Sequence, residues 1–543
     1  MSVEVFSTEK NLTEMKTKTL LLVLASFCVD VVYSQNWPQA AGPTGGWSVR
    51  TDEAVPTSFN VVENENILWK KELDESGQSG IAVWEDRIFL SVLKPYEDKG
   101  ERSNKVSDIK ALCIDASTGD TIWEYEIEGS LSSFYMYGFS DPSSPAPITD
   151  GENVWFTNAA GKLVCLDWNG ELVWERQWRS ATEVYKPEKP FPFNKQFEPF
   201  MVGDTLVHME AYDSADGSRV QGWHYLYGLD KLTGNVKWIS EDALTHYNTP
   251  GYSLDALGKP TVMIGRGGYH NVPESAKGLS MIDLADGKRI WQTELSSKGS
   301  TALYNASFTK DYAVWISETE SQVTVLKSQT GEILKTIDLR SKVDLRRFDP
   351  IRERYVLSED FDISKTANPN VFPAWYTNVL VGDHLYFMCF KDDKKQPLMK
   401  RYSKLSPLFS FGRVNLVTGR VEYLEVPVHY DDRGEFLWRE ELKTTALNSR
   451  GIDTVTDQRS KRDGWYWCFN GNPIQVNDVL FFTTMIGNCY SFRAGTEFFD
   501  ESAFIDLNPL GVRGESWSLN TPSFANGKLY HRTAKELICI GYP

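Results

Sequence analysis

The chain has 543 residues, 57 Lys plus Arg against 74 Asp plus Glu, and a formal net charge of −17. A chain this acidic lacks the basic footprint that phosphate contacts require, which excludes nucleic acid as its partner. Aromatic residues make up 13% of it, with 18 Trp, enough to bury a large core and far from the composition of a disordered polymer.

The first feature in chain order is an apolar stretch from Leu20 to Val32, preceded by Lys16 and Lys18 and followed by Tyr33 and Ser34. A positive start, a short apolar run and a small-residue end are the parts of a secretory signal. Residues 1–34 are read as that signal, with Met15 as a possible start. The run is short for a transmembrane helix, and Phe27 before Cys28 is unsuited to lipid attachment. Residues 35–543 are therefore expected to be one exported domain, periplasmic or secreted, monomeric and without a membrane span.

From there a repeat organises the chain. Strand, tight turn and strand recur at Cys113 (CIDASTGDTIWEYEI), Cys165, Gly228, Met281, Val325 and Arg413, with a degenerate copy at Cys489. The turn glycines Gly119, Gly170, Gly234, Gly287, Gly331 and Gly419 supply left-handed backbone. Trp123, Trp174, Trp238 and Trp291 follow four residues later, a fixed place that suits packing between neighbouring sheets. A second strand pair precedes each copy, at Ile81, Ala146, Phe200, Tyr252, Ser307, Val379, Ile474 and Ser523. Four strands per unit, eight times over, predict an all-β, eight-bladed β-propeller of antiparallel blades. The last unit lacks its outer strand. The segment ILWKKEL from Ile67 matches it, so the N-terminal strand is expected to close the ring.

Asp115, Asp167, Asp230 and Asp283 recur in the repeat and read as turn hydrogen-bond acceptors. Cys113, Cys165, Cys489 and Cys539 occupy similar apolar strand positions, and no CxxC or adjacent pair occurs. That pattern reads as buried core and not as a disulfide or metal framework.

The x-D-x-x-T-G-x-x-x-W units resemble the pyrroloquinoline-quinone (PQQ)-like β-propeller repeat. The opening NWPQAAGPTGGW and the closing stretch from Gly471 to Gly541 are similar to exported bacterial members of that group. The resemblance implies two alternatives. Quinoprotein dehydrogenases of this fold hold PQQ and calcium in the channel, with an adjacent cysteine pair that this sequence lacks. The propeller of the outer-membrane barrel assembly machinery binds protein without a cofactor. No cofactor or metal is expected; PQQ and calcium enter only under the oxidoreductase alternative, acting on sugars or alcohols.

Loop length locates the expected site. Turns on one face are short (WEDR, TDGEN, VGDT, ANGK), whereas Lys94–Asp108, Ala211–Trp223, Arg340–Pro373, Lys391–Phe411 and Pro427–Asn470 are assigned to the opposite rim, where a rigid scaffold presents its binding loops. The crossovers end at the channel mouth with Asp141, Phe197, Glu198, His246, Tyr247, Asn305, Trp375, Tyr376, Asn470 and Asn520. Arg266, Tyr269 and His270 follow a second strand, and Trp465 and Trp467 precede the seventh blade. Rings with Asn, Arg and Glu suit a protein segment or a glycan. Glu198 and Asp141 are the one pair of acids to nominate for glycan cleavage. No nucleophile elbow, zinc motif, P-loop or dinucleotide fingerprint is present. The runs Lys391–Lys395 and Arg346–Arg354 are expected to be solvated.

Overall fold

The computed structural model describes residues 36–543 apart from 96–106, 130–140, 180–183, 185–197, 245–250, 254–255, 267–276, 296–305, 318–319, 367–369, 393–409, 439–443 and 446–470. Among the described residues the chain forms eight antiparallel blades and no α-helix. The blades span 82–127, 148–177, 200–244, 251–294, 306–338, 370–425, 474–509 and 523–540, numbered 1 to 8 here. Each has four strands, counted first to fourth from the channel outwards.

Blade 8 takes its fourth strand from the N-terminus. Ile67–Glu72 pairs antiparallel with Glu536–Ile540, placing Trp69 opposite Cys539. Leading into that strand, the Phe59 N–H donates to Asn508 Oδ1 at 2.7 Å and the Val61 N–H to the Pro509 carbonyl at 3.0 Å, both on blade 7. The last blade is thereby completed by a strand from the start of the chain, which ties the two ends of the ring together.

Burial explains the sequence pattern. Second strands pack on both faces: Arg87–Leu93 is buried at every residue but the first, and Thr205–Ala211 throughout. Such strands read as continuous apolar runs. Several fourth strands alternate instead, as Ile67–Glu72 and Leu172–Gln177 do, because one of their faces is turned to solvent.

The repeated tryptophans join the blades. The Trp123 ring lies against Gly170 of the next blade, and Trp291 against Gly331, where an added Cβ would sit 2.8 and 2.5 Å from the indole. Both glycines also have positive φ, at 88° and 71°, so the turn and the close approach each demand glycine there. The indole N–H donates to a carbonyl of that same neighbouring turn: Trp69 to Ala116 (3.1 Å), Trp123 to Trp168 (3.1 Å), Trp174 to Lys231 (3.0 Å) and Trp291 to Ser328 (2.6 Å). Trp238 differs. Its ring likewise lies against the next blade's turn glycine, Gly287, and over its cross-strand partner Gly228, but its Nε1 has no hydrogen-bond partner among the described residues. Beneath these rings sit Cys539, Cys113, Cys165 and Met281, each the direct cross-strand partner of its Trp. The cysteine position of the repeat is thus the small, soft floor under an indole. All five described cysteines are free and buried. The repeated aspartates serve their turns: Asp115 Oδ1 accepts from the Ser117 and Thr118 N–H groups, and Asp230 Oδ1 from those of Leu232 and Thr233.

Two expectations are corrected. Arg340–Pro373 is not simply a rim loop: Val343–Asp349 and Arg354–Phe361 form a hairpin that widens blade 6 to six strands, pairing parallel with its fourth strand, Val421–Glu425. Arg346 is not solvated either. It is 6% exposed, lies 3.7 Å from Glu422 and donates to the Phe499 carbonyl at 3.2 Å. Glu422 also takes the buried Arg413 guanidinium, Nε to Oε2 at 2.7 Å. The charge run hid a buried cluster that ties blade 6 to a turn of blade 7.

Candidate binding site at the channel mouth

Residues 36–49 lie along the first strands as a strap. The Trp37 N–H donates to the Val83 carbonyl at 2.9 Å and its carbonyl accepts from Val83 at 2.8 Å. The Pro38 carbonyl accepts from Thr149 of blade 2 at 2.9 Å, and Gln39 Oε1 from the Met201 N–H of blade 3 at 2.8 Å. Gly45, at φ 78°, lies against the Tyr252 ring of blade 4, which leaves no room for a Cβ. Ser48–Val49 then pairs parallel with Gln475–Val476 of blade 7. Trp37 is fully buried and Ala41 1% exposed, so the strap is part of the core. Sequence reasoning missed it. The signal was there, in a stretch of Trp, Ala, Gly and Pro with neither strand nor helix periodicity and too few polar residues for a solvated loop.

Several of these contacts fall at the short-turn ends of the first strands. A cavity of about 60 Å³ remains between Gly45–Trp47 and the first strands of blades 4 to 7, room for a few water molecules. Tyr252, Phe308, Ser307, Asn378 and Asn472 line it. Ser307 donates to Asn378. The Tyr252 ring stacks on Phe200 at 4.0 Å between centroids. Burial, and to a lesser degree the Glu198 carboxylate, hold the Tyr252 hydroxyl well above its ordinary pKa, and among the described residues that hydroxyl has no hydrogen-bond partner.

Of the mouth residues named from sequence, Asp141, Glu198, Arg266 and Asn520 are described in full. Asp141 is buried and caps a turn, Oδ1 accepting from the Ser143 N–H at 2.8 Å and its hydroxyl at 2.6 Å. Glu198 Oε2 accepts from the Ala146 N–H at 2.7 Å, linking the entries of blades 2 and 3. Arg266 is buried between blades 3 and 4, 3.5 Å from Asp242, which also meets Arg289 Nη1 at 3.0 Å and the Ser280 hydroxyl at 2.8 Å. Asn520 is buried; its N–H donates to the Ser518 hydroxyl at 3.0 Å and its carbonyl accepts from Thr483 at 3.1 Å. Trp375 and Tyr376 lie in the strand Asn370–Val381 where its register shifts. Phe197, His246, Tyr247, Tyr269, His270, Asn305, Trp465, Trp467 and Asn470 lie outside the described residues, as does most of Lys94–Asp108, Lys391–Phe411 and Pro427–Asn470. Ala211–Trp223 prolongs the hairpin of blade 3, with Tyr212 donating to the Trp223 carbonyl at 2.8 Å.

A residue not singled out from sequence joins two of these. Arg532, fully buried at the end of the second strand of blade 8, donates from Nη1 to the Ser91 carbonyl (2.7 Å) and Ser79 hydroxyl (3.2 Å) of blade 1. Burial pushes its pKa down to about 10, opposed by the nearby Asp141 carboxylate. Its carbonyl accepts from Asn520 Nδ2 at 3.5 Å. Asp141, Asn520 and Arg532 thus converge where blades 8, 1 and 2 meet, whereas Glu198 and Arg266 stand apart, each on its own blade boundary. An Arg at the end of an apolar strand reads as solvated, so nothing in the pattern marked it.

The described residues do not fit PQQ held on calcium. No three of His, Cys, Asp and Glu among them come together as a metal site. The five described cysteines lie apart in separate strands. The described residues of the cavity carry no cation to meet an anionic quinone.

A family model described as outer membrane protein assembly factor BamB matches residues 57–337. No curated protein matches the chain. Among solved structures, the quinohemoprotein alcohol dehydrogenase of Comamonas testosteroni aligns at a TM-score of 0.52 and 12% identity, covering 95% of this chain and 82% of that one. A quinohemoprotein alcohol dehydrogenase of Pseudomonas putida HK5 aligns at 0.52 and 12%, covering 93% and 80%. BamB from Moraxella catarrhalis aligns at 0.40 and 14%, covering 88% and 97%. At such identities the likeness to the dehydrogenases is one of fold.

Proposed function

The chain belongs to the family described as outer membrane protein assembly factor BamB, and from that premise we propose that it is an exported, non-enzymatic scaffold which binds a segment of another protein at its loop-rich face. A glycan is the other ligand class that this mouth suits. The observation that carries the reading is the strap. With residues 36–49 bonded to the first strands of blades 1, 2, 3 and 7, the chain's own segment occupies inner edges of the ring, and on this reading recognition falls to the mouth and its loops. A quinone oxidoreductase needs that same channel for its cofactor, and the described lining supplies neither a metal donor set nor a cation. Family membership supports a place in the periplasm, at the outer membrane. No helix among the described residues is long and apolar enough to cross a membrane.

The test is to incubate the purified protein with PQQ and calcium, then record quinone absorbance and dye reduction with alcohols and sugars. Neither is expected. Stoichiometric quinone uptake with turnover overturns the scaffold reading.

A further inference from the structure

The hairpin that widens blade 6 leaves an open edge on the outside of the ring. Arg354–Phe361 is the last strand of that six-stranded sheet, bonded on one side to Val343–Asp349 and on the other to no strand among the described residues. Outer strands such as Ile67–Glu72 and Leu172–Gln177 end with exposed and half-buried residues in alternation. In Arg354–Phe361 the exposed residues fall on both faces, with Val356 at 39% and Leu357 at 43% side by side near its centre. An open strand edge is a template for a further strand, and charged residues along it are one protection. Here the centre is apolar and the charge stands at the ends, Arg354 at one and Glu359 and Asp360 at the other. None of these three side chains has an ion-pair partner among the described residues.

That arrangement is self-complementary. A second copy laid antiparallel, with the two-fold axis at Leu357, brings Arg354 opposite the partner's Asp360 and Val356 opposite the partner's Ser358. Two Arg–Asp contacts form together, because an isologous interface repeats each of its contacts. The strand lies beyond the fourth strand, Val421–Glu425, against which its hairpin pairs, so a second copy approaches from outside the ring. We propose that Arg354–Phe361 is a homodimer contact, through which the widened blades of two copies join into one continuous sheet. This departs from the monomer expected from sequence. It is independent of the scaffold reading, since it concerns the outer rim of blade 6 and not the mouth. A bulge at Glu359–Asp360, where Asp360 adopts φ 48°, limits the pairing to about seven residues, so the contact is small and reversible.

Sedimentation velocity on the intact protein at low salt is expected to show a monomer–dimer equilibrium with a Kd on the order of 10 µM. The amides of 354–360 are expected to gain protection from hydrogen exchange as concentration rises. Arg354→Glu sets a carboxylate opposite the partner's Asp360, and Asp360→Lys sets a lysine opposite the partner's Arg354. Each variant alone is expected to associate at least tenfold more weakly. Both positions are exposed, and Lys342 at φ 52° shows that lysine adopts the backbone of Asp360, so the thermal transition is kept. An equimolar mixture of the two variants restores opposite charges at both contacts and is expected to associate as the unaltered protein does. A monomer at every concentration up to about 200 µM, full association of either variant alone, or a mixture no tighter than its components overturns the proposal.

Discussion

The indole-to-turn bond between blades makes a differential prediction with its own control. Trp291 and Trp238 are alike in burial, 7% and 9% exposed, and hold the same place in successive blades. They differ in that Trp291 Nε1 donates to the Ser328 carbonyl at 2.6 Å, whereas Trp238 Nε1 has no partner among the described residues. Replacing either by Phe keeps an aromatic ring and loses similar apolar area, about 1 kcal/mol in each case. Trp291→Phe also loses the hydrogen bond, about 1 kcal/mol net, and leaves the Ser328 carbonyl buried and unpaired, about 1–3 kcal/mol more. Trp238→Phe removes an unpaired donor and carries no such penalty. Trp291→Phe is therefore expected to be the more destabilising by at least about 1.5 kcal/mol. The assay is urea unfolding followed by circular dichroism, reading the midpoint shift at constant slope. If Trp238→Phe costs as much as Trp291→Phe, the inter-blade hydrogen bond does not contribute as argued.

Further outcomes follow from the buried groups. Glu422→Gln leaves Arg413 and Arg346 without their carboxylate and is expected to cost about 3–5 kcal/mol in the same urea assay. The His531 pKa is depressed to about 3 by burial and by the Arg532 charge. The native state thus binds fewer protons than the unfolded chain between about pH 3 and 6.5, and stability rises with pH through that window by up to about 1.4 kcal/mol per unit. His531→Gln flattens that slope in unfolding measured from pH 4 to 6.5, and an unchanged slope contradicts the assignment. Burial pushes the Cys113 and Cys165 thiols up to about 12. Mass mapping after iodoacetamide at pH 8 is expected to find both unmodified in the native protein and alkylated in urea; alkylation of either in the native protein contradicts its burial.

Much of the architecture was legible because it is written locally and repeatedly. Gly170 and Gly331 declare their turns through a backbone requirement, Trp123 and Trp291 keep one offset from them, and the eight strand pairs follow from alternation and turn dipeptides alone. Even ring closure by Ile67–Glu72 showed as a missing strand at one end and a spare one at the other. The candidate site was legible only in part. That Asp141 and Asn520 stand at strand entries follows from spacing. That Asn520 bonds to the carbonyl of a buried Arg532, and that Arg266 turns aside to Asp242, does not.

What the sequence alone determined was the blade, a unit whose strands, turns and core positions depend on neighbours within about fifty residues. Tertiary structure decided everything that joins distant segments: the strap of residues 36–49 along the first strands, the hairpin of 343–361 on the rim of blade 6, and the buried Arg346–Glu422–Arg413 cluster. The physical reason is that these segments carry no periodicity of their own. A residue such as Arg346 or Trp37 is buried because other blades surround it, and that surrounding exists only once the ring has closed.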